Sequence, residues 1–170
     1  MRVLFLDIDG VLNDRDTLIA ADSTDTATEA EAAIVGMDPC ALLGDLRSIS
    51  AEMVRHLNTL IERAKVDGVV ISSSWRIGFS LQFIEAVLKH HGFKGTVIGK
   101  TPRSNPRDGS FRILRGWEIR EWLVDHPEVT DFVILDDDSD MDDLPNFVHV
   151  NGSKGLTMND IEQAVACFGV

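Results

Sequence analysis

Val3-Leu4-Phe5-Leu6-Asp7-Ile8-Asp9-Gly10-Val11-Leu12 is the stretch that decides the fold. Val3 to Leu6 is an uninterrupted apolar, branched and aromatic run, which reads as a strand buried on both faces. Side chains alternate along a strand, so Asp7 and Asp9 leave on one side if the strand runs on through them. Gly10 then lets the backbone turn sharply. Two carboxylates held close at a strand end repel each other, which is costly unless a cation lies between them or one takes a proton. A strand ending in a solvated acidic turn would have the same composition. An N-terminal, strongly apolar strand that leads at once into Gly-Val-Leu favours a functional site.

The rest of the chain repeats the pattern of apolar strand and polar end. Val69-Val70-Ile71 runs into Ser72-Ser73-Ser74-Trp75-Arg76, and Asp131 to Leu135 runs into Asp136-Asp137-Asp138-Ser139-Asp140. Hydroxyls and free backbone amides at a strand's C-terminal end can hold phosphate oxygens. An EF-hand reading of the acidic run fails, because Met141 stands where that loop needs Gly and Phe147 where it needs Glu. Thr96 to Ile98 and Phe147 to Val150 complete five strands. Between them, Ala51–Lys65 behind the N-cap Ser50, Phe79–His91, the segment from Arg115 to before Pro127, and a last segment capped at Thr157 have helical spacing. His56, His90 and His91 read as surface and helix-end residues rather than metal ligands. Strands alternating with helices imply a mostly parallel sheet of about five strands, covered on both faces in a three-layer α/β sandwich. In such folds the strand ends carrying Asp7, Asp9, Ser72 and Asp136, and the helix start at Arg115, share one edge.

Composition bounds the function. A chain of 170 residues with 44% hydrophobic and 26% charged residues is long enough for a real core and reads as one domain over 1–170. No apolar run approaches the roughly 20 residues of a membrane span, and Asp7 and Asp9 interrupt the place of a signal peptide. Cys40 and Cys167 fit no metal or redox spacing, so a reduced, cytoplasmic protein is expected. The net charge of −12 argues against broad, non-specific nucleic-acid binding. Against that acidity, the loop from Gly99 to Leu114 carries Lys100, Arg103, Arg107 and Arg112, with Arg115 just after. It is either a solvated charged loop or a rim that attracts an anionic substrate. Gly99-Lys100-Thr101 is not a phosphate-binding P-loop, since Lys94 occupies the position that needs Gly.

Asp7-Ile8-Asp9-Gly10-Val11-Leu12 resembles the first motif of the haloacid dehalogenase (HAD) superfamily, whose members are mostly magnesium-dependent phosphatases. The resemblance implies a Rossmannoid fold in which Asp7 is the nucleophile and Asp9 the general acid/base, its backbone carbonyl also touching the metal. It implies that Ser72, with Ser73 as the alternative, binds phosphate, and Gly10 is placed with them. Arg115 matches the third-motif cation, usually Lys; Lys100 could take that role if its loop folds back. Asp136 would touch Mg2+ directly and Asp137 through water or hydrogen bonds, with Asp140 a lesser candidate. Residues 14–48 stand where that family carries a flap or cap. They are too polar and short for a globular cap and read as an extended flap or small insertion. Within them the sequence allows a loop or a helix over Thr28–Val35.

The implied function is a magnesium-dependent phosphomonoester hydrolase acting through an aspartyl-phosphate. An Asp two residues after the nucleophile favours phosphatases over dehalogenases. Without a large cap the site would be open, which suits phosphorylated ends of macromolecules as well as small phosphates. Ser-Ser-Ser-Trp-Arg at 72–76, Arg-Gly-x-Glu-Ile at 115–119 and Leu-Asp-Asp-Asp-Ser-Asp at 135–140 resemble stand-alone domains related to the phosphatase parts of RNA-repair proteins. That makes a nucleic-acid end one substrate option. The alternatives are a catalytically silent phosphate- or partner-binding module and a phosphotransferase.

Overall fold

Strand β1 (Arg2–Leu6) occupies the middle of a five-stranded sheet, because its side chains are buried on both faces. In the computed structural model, which describes residues 1–22, 25–103, 114–141 and 143–169, β1 is followed by α1 (Arg15–Ala21), α2 (Glu29–Val35), α3 (Leu43–Arg47) and α4 (Ala51–Ala64). Then come β2 (Gly68–Ile71), α5 (Trp75–Gly78), α6 (Leu81–His90), β3 (Val97–Lys100), α7 (Arg115–Asp125), β4 (Asp131–Asp136), β5 (Phe147–His149) and α8 (Met158–Cys167). The strand order is β3-β2-β1-β4-β5 and every pairing is parallel. The chain steps outward from β1 to β3, then returns to place β4 on the other side of β1. The crevice where strand order reverses therefore opens between the C-terminal ends of β1 and β4.

Alternation divides the sheet's side chains between two cores. Leu4, Leu6, Val69, Ile71, Val133 and Leu135 face one layer, where α4, α6 and α8 supply residues such as Leu57, Ile84 and Ile161. Val3, Phe5, Val70 and Ile134 face the other, where α7 supplies Ile119 and Trp122. Phe5 meets Trp122 edge to face, with ring centroids 5.4 Å apart. Helix α4 forms because Ser50 caps Met53 N and because Met53, Val54, Leu57, Leu60 and Ala64 recur on one face. Helix α6 starts at Leu81, two residues later than its apolar pattern suggests, because the Ser80 hydroxyl caps Phe83 N.

Among the described residues of 14–48 lie the three short helices α1, α2 and α3, and α2 coincides with the helical option for Thr28–Val35. Thr28 and Glu31 form a reciprocal capping box, so α2 is defined by its ends rather than by an apolar stripe. The Arg47 guanidinium reaches Glu31 at 2.8 and 3.1 Å and ties α3 to α2. Asp38 accepts the Ser80 backbone N–H at 2.8 Å and Leu46 O lies 2.8 Å from His91 Nε2, which docks the segment on the two ends of α6. Arg107 and Arg112 lie outside the described residues.

Leu57 is fully buried and Val124 is 79% exposed. Leu57→Ala is expected to cost about 2–5 kcal/mol in urea unfolding, and Val124→Ala no more than about 0.5 kcal/mol.

Candidate active site

The sheet's parity carries β1, β2 and β4 into one polar cluster. Phe5, Val70 and Ile134 point to the α7 side, so Asp7, Ser72 and Asp136, each two residues on, point there too. The ladder continues through these positions, with Asp7 N donating to Leu135 O and Ser72 N to Leu6 O, both at 3.0 Å. Asp7 and Asp136 are thus level on neighbouring strands, 4% and 0% exposed. Oxygen atoms of Asp7, Asp136 and Asp137 all lie within 4.8 Å of one another.

Helix α7 brings the balancing cation. Arg115 Nη1 lies 2.8 Å from Asp7 Oδ1 and 2.7 Å from Asp136 Oδ2. The contact to Asp136 is a directed hydrogen bond; that to Asp7 is a close charge contact that leaves Oδ1 without one. A cation in a helix's first turn opposes the helix dipole, so the two carboxylates must outweigh it. The α7 start is fixed by Asp140, whose Oδ2 accepts Arg115 N at 3.2 Å and whose carbonyl accepts Gly116 N at 3.3 Å. Gly116 is needed there: a Cβ would stand 2.2 Å from the Met141 carbonyl oxygen.

Asp9 is not part of the carboxylate cluster. Its oxygens accept from Trp75 Nε1 at 3.2 and 3.3 Å and from Asn13 Nδ2 at 3.2 Å. Asn13 also accepts the Gly10 N–H at 2.8 Å, so that amide is committed to the turn. Asp137 is enclosed instead by glycines: a Cβ on Gly10 or on Gly152 would fall 2.2 Å from Asp137 Oδ2. Ser72 and Ser73 are both fully buried. The Ser72 hydroxyl has no partner, whereas Ser73 accepts from Trp75 N at 3.4 Å. Lys100 Nζ donates to Arg76 O at 2.8 Å and reaches neither Asp7 nor Asp136. The structure thus brings Asp7, Asp136, Asp137 and Arg115 together, with Asp9 beside them on its own hydrogen bonds.

Sequence reasoning passed over the supports. Arg76 is buried, donates to the carbonyls of Ser72 and Ser73 at 3.0 and 2.7 Å, and pairs with buried Glu118 of α7. Trp75, Asn13 and Gly152 were missed in the same way. The only available signal was Trp75-Arg76 directly after the serines.

Charge confinement shows in the acids. Burial pushes the Asp136 carboxyl up to about 7, Asp7 adds to this, and Arg115 opposes it. Burial likewise raises Asp7, against Arg115 and the Ser73 hydroxyl, and it raises Asp137. Three oxygen donors that resist ionisation together suit a hard divalent cation.

A family model described as the HAD domain in Swiss Army Knife RNA repair proteins matches residues 3–161. No curated protein and no solved structure matches the chain. Among the described residues, no helix is long and apolar enough to cross a membrane.

A carboxyl raised from 3.8 to about 7 in the folded state binds more protons there than in the unfolded chain. Its contribution is full below about pH 4 and is lost as pH rises through 7. In EDTA, Tm is expected to fall from pH 5 to 7.5, and Asp136→Asn to flatten that fall. Millimolar Mg2+ should raise Tm more at pH 8 than at pH 5, measured by thermal unfolding. Gly116→Ala should destabilise, although Ala is the better helix former by about 1 kcal/mol.

Proposed function

Because the chain belongs to the HAD domain family of Swiss Army Knife RNA repair proteins, we propose that it is a magnesium-dependent phosphomonoester hydrolase with Asp7 as nucleophile. One observation carries this reading: the oxygens of Asp7, Asp136 and Asp137 converge within 4.8 Å, with Arg115 bridging two of the three acids. Residues 1–170 are read as one hydrolase domain, with 14–48 as an insertion beside the site.

The donor set fits the metal. Asp7, Asp136 and Asp137 would hold Mg2+, assisted by the Asp9 carbonyl. When bound, the ion supplies charge neutralisation at the carboxylates and at a phosphate oxygen. The Asp7 carboxylate attacks phosphorus, and the bond from phosphorus to the leaving oxygen breaks. Asp9, oriented by Trp75 and Asn13, gives its proton to that oxygen. It then takes a proton from the water that attacks the aspartyl-phosphate, which restores Asp7. Ser72 supports this reading as a phosphate ligand, because its buried hydroxyl has no protein partner. Arg115 faces the phosphate as charge develops on its equatorial oxygens. A phosphorylated nucleic-acid end, RNA in the first place, is the substrate class that the family description supports.

Hydrolysis of an aryl phosphate and of phosphorylated oligonucleotides tests the proposal. Turnover should require Mg2+, and Asp7→Asn should reduce kcat at least ~10³-fold. Undiminished turnover in Asp7→Asn would remove Asp7 from the nucleophile role.

A further inference from the structure

We propose that a second anion subsite, lined by Arg76, Lys100, Thr101 and Arg103, adjoins the acidic site and takes another phosphate of the same substrate, one nucleoside away from the scissile one. The inference rests on the phosphatase reading above and specifies its substrate. A hollow of about 410 Å³ is formed by these four residues with Ile77 and Pro102. It shares Arg76, Ile77 and Arg103 with a cleft of about 220 Å³ that is also lined by Arg115, Glu118 and Asp140. The two hollows therefore lead from the bridging guanidinium outward past β3.

Two buried polar atoms in this hollow have no partner. Thr101 is 3% exposed, and its Oγ1 makes no hydrogen bond. Arg76 is 8% exposed; its terminal nitrogens are used on Glu118, Ser72 and Ser73, but Nε is free. A buried donor without an acceptor costs about 1–3 kcal/mol, so the site is incomplete as it stands. Lys100 Nζ spends one of its three donors on Arg76 O. Arg103 is exposed at the rim. Among the described residues no carboxylate lines this hollow; the carboxylates that balance the Arg76 charge, Glu118 in contact and Asp7 beyond it, lie outside its lining. Three cations and a hydroxyl around one void, in a chain of net charge −12, match a tetrahedral oxyanion with several acceptor oxygens.

Size alone would point elsewhere. The hollow of about 710 Å³ near Arg55 and Lys94 is larger, but it carries Glu62 and shares no residue with the acidic site. Position and unpaired donors favour the smaller one. An internucleotide diester and a second terminal monoester present the same chemistry at this distance, and separate substrates resolve them.

The test compares kcat/KM for four substrates: a nucleoside monophosphate, a nucleoside 3′,5′-bisphosphate, a terminally phosphorylated dinucleotide, and that dinucleotide with an uncharged methylphosphonate linkage. The dinucleotide or the bisphosphate should exceed the monophosphate by about tenfold, mostly through KM. Arg103→Ala and Thr101→Val should each shrink that ratio, and the methylphosphonate should lose it. Equal kcat/KM for all four, unaltered in Arg103→Ala, would overturn the subsite while leaving the phosphatase reading intact. If nothing is turned over, the phosphatase reading fails, and calorimetry in EDTA decides the subsite alone. The charged dinucleotide must then bind more tightly than its methylphosphonate analogue, with the difference lost in Arg103→Ala. Equal binding would dispose of it.

Discussion

Two buried carboxylates level with each other on neighbouring strands are the constraint around which this molecule is built. Asp7 and Asp136 sit where β1 and β4 end, in a place without enough solvent to screen them. Their mutual repulsion cannot be relieved by swinging apart, because parallel pairing fixes both backbones. One guanidinium is placed between them, and the rest of the cost appears as carboxyls that resist ionisation. A protein optimised only for stability would not put acids there. Burial of this kind marks a place that awaits positive charge.

The surrounding structure serves that balance. Helix α7 begins with a cation against its own dipole, offset by the two carboxylates, and Gly116 lets its first turn lie on the Met141 backbone. The Arg76–Glu118 pair joins α5 to α7, and Arg76 also donates to the serine carbonyls, so the serines and Arg115 are held from one side by a single buried ion pair. Removing either partner would leave a lone charge in the interior, which is why such pairs are costly to break.

Strands and long helices were legible because burial on two faces and helical spacing leave periodic traces in the sequence. That Asp7, Ser72, Asp136 and Arg115 share one edge of the sheet was legible from their places at strand ends and a helix start, whereas Asp137 was named only through the family resemblance. The sheet is parallel throughout, where the sequence supported only a mostly parallel one. What escaped was structure held by single polar contacts. Helices α1 and α3 have little apolar period: among their side chains only Ala21 and Leu46 are buried. Helix α5, one turn long, hides in a stretch that reads as the tail of the serine run. The choice between Ser72 and Ser73 could not be made from spacing, since both are buried and only their hydrogen bonds distinguish them. The partner of the Asp9 carboxylate also escaped: it accepts from Trp75, a pairing 66 residues apart that no local pattern announces.

Asp137 shows what two missing side chains achieve. Gly10 and Gly152 come from loops after different strands, and the Asp137 carboxylate lies where a Cβ on either would stand. Most surface acids sample several rotamers and surrender that freedom when they bind an ion. Here the ordering cost falls on folding instead. The oxygen is preorganised before any cation arrives, so more of the binding free energy appears as affinity.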